Sequence, residues 1–210
     1  MLSVDDRRGE LNVPSPFNLA RYVLWENGAD ADKVAVTVLK AAGSERWSYA
    51  RLRERVLATG AALLAADIRP GTRLLLRLGN TTDFPLAYLG AIAAGIIPIP
   101  TSAALTEEEI TRIADVLQPS AVLAEDSFSV PTGATRLRPS DLPEAKPLSA
   151  PVYANPDDSA YIVVTSGTSG TPVGVIHAHR AILGRRFMFE GWYGLSREDR
   201  VLHAGAFNWT

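Results

Sequence analysis

The chain has 210 residues, of which 47% are hydrophobic and 21% charged, a composition typical of a globular protein with a sizeable core. The formal net charge of −2 argues against the broad basic surface of a nucleic-acid-binding protein, and the lack of cysteine excludes disulfides and thiolate catalysis. The first ten residues are polar, and the longest apolar stretch, 86–100, is too short and too interrupted to span a bilayer. We therefore expect a cytoplasmic protein with no membrane span and no nucleic-acid partner.

The first hundred residues alternate between helix and strand patterns. Residues 12–25 predict a loop and a short amphipathic helix, 34–39 a β-branched strand, and 46–49 a second extended segment. Ser48 is a candidate N-cap for a helix over 49–66, which ends at the turn sequence 67–71. A strand at 73–78, a helix at 84–94 and a strand at 96–99 then predict a βαβ unit with parallel strands and a right-handed crossover.

A capping-box pattern, with Thr106 three residues before Glu109, predicts the start of the next helix, which ends near residue 117. A strand at 121–124 follows, and the alternation predicts an α/β fold with a mostly parallel sheet and flanking helices. Six of the 14 prolines fall between 127 and 158, which indicates a surface connection with one short strand near 136–138. We thus expect a first α/β subdomain portion at 1–126, a proline-rich connection at 127–158 and the start of an incomplete subdomain at 159–210.

The third segment opens with an unusual loop. An apolar run at 161–164 predicts a buried strand, and a strand pattern resumes at 173–176. Between them lies a loop built only from hydroxyl residues and glycine, which we call the hydroxyl–glycine loop: Thr165, Ser166, Gly167, Thr168, Ser169, Gly170 and Thr171. Such residues leave backbone N–H groups open and let the main chain approach phosphate oxygens closely. The alternative is a glycine-rich hairpin connection that binds nothing.

This loop differs from a Walker motif, because no lysine follows the glycines and a strand rather than a helix comes next. Residues 165–174 instead resemble the pattern [ST]-S-G-[ST]-[ST]-G-x-P-K-G of the adenylate-forming (AMP-binding) superfamily, to which acyl-CoA synthetases and peptide-synthetase adenylation domains belong. The departure is Val173, which stands where the family usually has lysine. Other family segments also have similar counterparts here, at 47–52, 69–73 and 80–100. Two further stretches, 17–20 and 177–179, are similar to those of the aromatic-acid CoA ligases.

The resemblance implies two half-reactions, in which a small carboxylic acid and ATP give an acyl-adenylate and pyrophosphate, and a thiol, usually that of CoA, then displaces AMP. Mg²⁺ would neutralise the charge on the departing phosphates. By the same resemblance, the hydroxyl–glycine loop and Gly174 would bind the ATP phosphates. Phe207 and Asn208 would lie beside the acyl carboxylate, where many members have an aromatic–histidine pair. No catalytic residue and no metal ligand is assigned, and the CoA site is expected to lie outside this chain.

The resemblance covers only the early motifs of the family. The chain is therefore expected to be the N-terminal portion of the large domain of a synthetase and to complete neither half-reaction alone. Two alternatives stay open: a non-catalytic binding or assembly protein that keeps the fold, which Val173 suggests, and an adenylation domain that loads a carrier-protein thiol. An unpaired edge strand and exposed apolar surface also predict that the isolated chain self-associates.

Several single residues invite functional readings. His177 and His179 favour a hydrogen-bonded junction between a strand and a helix over a metal site, which would need a third ligand. His203 is predicted to be a core residue of a strand at 201–204. Trp192 and Tyr193, near the end of a helix that starts at 179, are predicted to lie in the core or at an inter-subunit contact.

Overall fold

The computed structural model describes residues 12–166 and 171–208. This part of the chain is mixed α/β, as the sequence predicts. Its helices are α1 (Leu19–Trp25), α2 (Tyr49–Ala65), α3 (Asp83–Ala93), α4 (Glu107–Leu117) and α5 (Ala181–Gly191). Its strands are β1 (Val34–Lys40), β2 (Gly43–Ser48), β3 (Arg73–Arg77), β4 (Ile97–Pro100), β5 (Ala121–Ala124), β6 (Arg136–Leu137), β7 (Ser159–Ser166) and β8 (Pro172–Ala178).

A four-stranded parallel sheet in the order β4-β3-β5-β6 forms the centre of the fold. Three consecutive residues of β3, Leu74, Leu75 and Leu76, are fully buried, which is expected of a central strand with both faces covered. Leu74 and Leu76 pack with buried residues of α2 and α3, whereas Leu75 packs with Ile110 and Ile113 of α4. Helices therefore cover both faces of the sheet, and the predicted α/β class and βαβ unit are confirmed.

The helix starts follow the capping chemistry of the sequence. At α4 the Glu109 N–H donates to the Thr106 hydroxyl at 3.3 Å, and the Glu109 carboxylate accepts from the Thr106 N–H at 2.8 Å. Ser48 caps α2 by accepting from the Arg51 N–H at 3.3 Å. Both predicted caps are thus confirmed, and they set where α2 and α4 begin.

Helices α2 and α3 cross at a pair of glycines. A Cβ added to Gly60 would lie 2.8 Å from the Gly90 carbonyl oxygen, closer than real side-chain contacts allow. The crossing therefore requires a residue without a side chain at position 60, and it lets the backbones of α2 and α3 approach closely.

The remaining strands form two antiparallel hairpins, β1–β2 and β7–β8. In the second hairpin Tyr161 pairs with His177 and Thr165 with Val173, so the hydroxyl–glycine loop connects two paired strands. Strand β7 lies against β4 and β8 against α4, which attaches this hairpin to the central domain.

The proline-rich connection at 127–158 contains the short strand β6, as predicted. It also makes specific contacts with the core. The Val152 N–H donates to the Ala93 carbonyl at 2.8 Å, and the Ala154 carbonyl accepts from the Phe17 N–H at 2.9 Å. Leu148 packs against the α2–α3 layer. The connection is therefore held against the core by backbone hydrogen bonds and by apolar side chains, among them Leu142 and Leu148.

Two predictions near the C-terminal end are wrong. Residues 201–204 form no strand, because no strand of the described part of the chain pairs with them, and His203 is exposed rather than in the core. Trp192 and Tyr193 are 76% and 57% exposed, so their predicted place in the core is also wrong, while the inter-subunit contact stays a prediction. No helix among the described residues has the length and apolar character needed to cross a membrane.

Candidate functional site

The β7–β8 hairpin presents the two ends of the hydroxyl–glycine loop. Thr165, near the end of β7, and Thr171, just before β8, are both exposed, and the Thr165 hydroxyl donates to the Val173 carbonyl at 3.4 Å. The predicted phosphate-binding residues Gly167, Thr168, Ser169 and Gly170 lie outside the described residues, as does the side chain of Ser166. The described flanks of the loop are thus open to a ligand in solvent.

Val173 lies on β8 directly opposite Thr165, and its side chain is 48% exposed. It occupies the position at which the motif usually has lysine. A valine can neither donate a hydrogen bond nor carry charge, so this end of the loop has lost a cation. Because the side chain is half-exposed, a longer side chain at this position could extend into solvent.

Gly174 is explained by packing. A Cβ at this position would lie 2.5 Å from Cδ2 of Leu117 in α4 and 3.0 Å from Cγ2 of Ile162 in β7. The glycine therefore lets β8 lie directly on the last turn of α4. Its part in phosphate binding stays a prediction, beside this structural role.

An apolar cavity of about 260 Å³ lies at the other end of β7. Phe207 and Asn208, the two residues predicted to bind the acyl substrate, both line it. Within the described part of the chain, the lining is drawn from α3, β4, β7 and the 205–208 segment: Phe84, Pro85, Tyr88, Leu89, Pro100, Tyr161, Val163, Phe207 and Asn208. Sequence reasoning missed the contributions of Phe84, Tyr88 and Tyr161, because only tertiary packing brings these separate elements together.

Strand β7 connects the cavity to the loop. Tyr161 and Val163 line the cavity, and Thr165 follows at the same two-residue spacing, which places it on the same face of the strand. At about 3.3 Å per residue, Val163 and Thr165 are about 7 Å apart along the strand. A ligand that occupied both places would need to extend only this short distance.

The cavity wall carries no charge at neutral pH. Tyr88 and Tyr161 lie edge to face with ring centroids 5.7 Å apart, and Tyr161 stacks on His177 at 4.6 Å. Burial raises the pKa of both tyrosines above the usual value, which keeps their hydroxyls protonated. Burial, with a smaller contribution from the charge of Arg185, lowers the pKa of His177, so this imidazole is neutral as well. Such a wall suits the apolar part of a ligand.

His179 forms the predicted hydrogen-bonded junction rather than part of a metal site. It is 3% exposed, and its Nδ1 accepts from the Leu19 N–H at 3.0 Å, at the start of α1. Burial lowers the pKa of His179, which agrees with a neutral ring that accepts at Nδ1. Within residues 12–166 and 171–208, no group of three or more His, Asp or Glu side chains could hold a metal ion.

Comparison with solved structures establishes the class of this fold. A benzoate CoA ligase from Burkholderia xenovorans LB400 superposes with a TM-score of 0.71 at 24% identity, over 86% of this chain and 38% of that one. An acyl-CoA synthetase from Brucella canis gives a TM-score of 0.74 at 20% identity, over 88% of this chain and 38% of that one. This chain therefore shares its α/β fold with part of each of these two enzymes.

The sequence match is more specific. Residues 25–210 match the AMP-binding enzyme family, and the chain belongs to this family. The 4-hydroxybenzoate–CoA/benzoate–CoA ligase of Rhodopseudomonas palustris is 31% identical, over 76% of this chain and 33% of that protein. Vanchrobactin synthetase VabF of Vibrio anguillarum is 28% identical, over 75% of this chain and 6% of that protein. The chain spans a third or less of the length of the curated relatives that it matches.

Proposed function

We propose that this chain is the N-terminal portion of an ATP-dependent acid–thiol ligase of the AMP-forming type. In this proposal the hydroxyl–glycine loop and Gly174 bind the ATP phosphates, and the apolar cavity takes part of the acyl group, beside Phe207 and Asn208. The observation that carries the proposal is that β7 leads from the cavity wall at Tyr161 and Val163 straight to the loop at Thr165. The three segments at 1–126, 127–158 and 159–210 would be its structural divisions.

The proposed reaction has two steps. A carboxylate oxygen attacks the α-phosphorus of ATP, the bond to the bridging oxygen breaks, and pyrophosphate leaves. A thiolate sulfur, from CoA, then attacks the acyl carbon and AMP leaves with its phosphate oxygen, which gives the thioester. When bound, Mg²⁺ would supply neutralisation of the pyrophosphate charge, but no residue of this chain is assigned to it.

The residues of this chain bind and orient the reactants in the first step. The exposed hydroxyl of Thr171 can donate to a phosphate oxygen at one end of the loop, and that of Thr165 can do so at the other end by exchanging its 3.4 Å contact with the Val173 carbonyl for the phosphate. The uncharged wall of Tyr88 and Tyr161 excludes water from the apolar part of the acid. Asn208 can donate a hydrogen bond to a carboxylate oxygen but cannot exchange a proton with it.

The cavity favours an acid with an aromatic or other compact apolar group. Its wall has aromatic rings on several sides, and such rings pack well against a flat apolar group. The relative from Rhodopseudomonas palustris is named for 4-hydroxybenzoate and benzoate, which supports the same substrate class.

Two other functions have an observation in their favour. Val173 in place of a cation supports a non-catalytic protein that keeps the fold for binding or assembly. The similarity to vanchrobactin synthetase VabF supports a domain that loads a carrier-protein thiol instead of CoA.

The test is carboxylate-dependent ATP–pyrophosphate exchange by the full-length protein, measured over a panel of aromatic, short-branched and long-chain acids. We expect exchange with a compact acid, and a reduced rate in the Thr165→Ala variant. Ser44→Ala is the matched control, because Ser44 is an exposed hydroxyl residue of the other hairpin. No exchange with any acid, together with no rise in Tm on adding ATP, would refute the proposal. Supplying CoA or a phosphopantetheinyl carrier protein then identifies the thiol.

A further inference from the structure

The segment at 205–208 contributes two residues to the cavity wall although it belongs to no helix or strand. Regular hydrogen bonding therefore does not hold Phe207 and Asn208 in place. Within the segment, Nε2 of His203 lies 3.2 Å from the Ala206 carbonyl oxygen, which closes a local turn. The position of this turn against the cavity must come from contacts with another part of the chain.

Asn80 supplies that contact from the loop that follows β3. Its Nδ2 donates to the Gly205 carbonyl at 3.1 Å, and its Oδ1 accepts from the Phe207 N–H at 2.9 Å. One carboxamide thus pairs with the backbone on both sides of Ala206, across more than 120 residues of sequence. Asparagine can donate and accept at once through a short planar group, whereas aspartate loses the donor and alanine loses both groups.

Aromatic stacking close to Asn80 also holds the 205–208 segment against α3. Phe84, at the start of α3, stacks on Phe207 with centroids 5.6 Å apart and planes 17° apart, and it stacks on Tyr88 at 6.2 Å. Asn80 itself does not line the cavity. It therefore acts on the cavity only by fixing two residues that do.

We propose that Asn80 is a positioning residue, which sets Phe207 and Asn208 in the wall of the acyl cavity through its two hydrogen bonds to the 205–207 backbone. This inference rests on the proposed function, since it assigns the cavity to the acid. It assigns the loop after β3 a part in acid binding that the family motif at 165–174 does not contain. Because Asn80 is exposed and water competes for its amide, its loss costs little stability but releases the segment.

The experiment compares Asn80→Ala and Asn80→Asp in the full-length protein with a matched control, Asn27→Ala. Asn27 makes the same pair of bonds, since its Nδ2 donates to the Val23 carbonyl at 2.8 Å and its Oδ1 accepts from the Ala29 N–H at 2.9 Å. It does not line the cavity. A purely structural role for Asn80 predicts that all three variants behave alike.

We expect both Asn80 variants to raise KM for the acid in ATP–pyrophosphate exchange by on the order of tenfold, because small displacements of positioning groups carry large kinetic costs. KM for ATP should stay unchanged, and Asn27→Ala should change neither constant. An unchanged KM for the acid in both Asn80 variants overturns the proposal.

A second measurement does not need activity. Hydrogen–deuterium exchange of the peptide that contains 203–208 should become faster in both Asn80 variants and stay unchanged in Asn27→Ala. If the unsubstituted protein shows no ATP–pyrophosphate exchange, the proposed function fails, yet this measurement still decides whether Asn80 holds the segment. An unchanged exchange rate in the Asn80 variants overturns the inference in either case.

Discussion

Replacing Gly174 by alanine tests how closely β8 packs on α4. The added Cβ would lie 2.5 Å from Cδ2 of Leu117 and 3.0 Å from Cγ2 of Ile162, and both neighbours are buried. Neither distance can be accommodated without moving a side chain or the hairpin. Inserting a methyl group into a packed site of this kind costs about 1–3 kcal/mol of unfolding free energy.

The assay is urea denaturation, with the midpoint and slope measured for the unsubstituted protein and for Gly174→Ala. Gly184→Ala is the control, since a Cβ added to this helical glycine of α5 would meet no described heavy atom within 4 Å beyond its chain neighbours and the backbone of its own helix. Alanine is the better helix former by about 1 kcal/mol, so the control should be as stable as the unsubstituted protein or more stable. We thus expect Gly174→Ala to lower the unfolding free energy and Gly184→Ala to leave it unchanged or raise it.

A double variant tests whether the contact with Leu117 causes the destabilisation expected for Gly174→Ala. Leu117→Ala alone should cost about 2–5 kcal/mol, because it removes a buried leucine side chain. Combined with Gly174→Ala it should cost less than the sum of the two single effects, since the new methyl group then has space. If Gly174→Ala is as stable as the unsubstituted protein, or if the two effects simply add, the close contact with Leu117 is not what requires glycine.

Four further predictions concern other parts of the molecule. Val173→Lys should place a cation at the loop and raise the ATP–pyrophosphate exchange rate by on the order of 10²-fold. The Tm should stay unchanged, because the side chain at position 173 is half-exposed. An unchanged exchange rate would show that the backbone alone binds the phosphates. Burial lowers the pKa of His179 below the ordinary 6.5, so around that pH the unfolded chain binds more protons than the fold, and the unfolding free energy should fall as pH falls below about 6.5. His179→Gln should weaken this pH dependence in denaturation curves measured at pH 5 to 8. An equal change of unfolding free energy with pH in both proteins would contradict this prediction. Arg77 is fully buried and donates to four backbone carbonyls, three in the 102–105 loop and one at residue 129. Arg77→Met leaves these carbonyls without a donor and should lower the unfolding free energy by about 3 kcal/mol or more in the same assay. A decrease below about 1 kcal/mol would show that water replaces the guanidinium. The isolated chain should self-associate through the β8 edge and exposed Val175 and Ile176, and sedimentation of a monomer at high concentration would contradict this.

Local chemistry in the sequence determined much of the fold. Thr106 and Glu109 form the predicted capping box because the required atoms lie within one helical turn. The apolar run of β3 predicts a buried parallel strand because a strand covered on both faces needs apolar residues at every position. The family motif at 165–174 was likewise readable, since it is continuous in the chain. Periodicity failed at 201–204, where apolar residues occur but no strand among residues 12–166 and 171–208 pairs with them.

The cavity could not be predicted in this way. Its wall combines Tyr88, Tyr161 and Phe207, which are far apart in the sequence and lie on a helix, a strand and an irregular segment. The contact of Asn80 with this segment could not be predicted from the sequence either. Its two hydrogen bonds go to backbone atoms at 205–207, and because nearly every residue type has these atoms, the contact requires no particular side chain there. The amino-acid sequence thus determined the helix caps, the buried strands of the central sheet and the continuous loop motif, because the signal for each lies in residues that are neighbours in the chain. Only the tertiary structure decided which side chains surround the cavity and why glycine packs best at position 174, because both depend on distances between segments that are far apart in the chain.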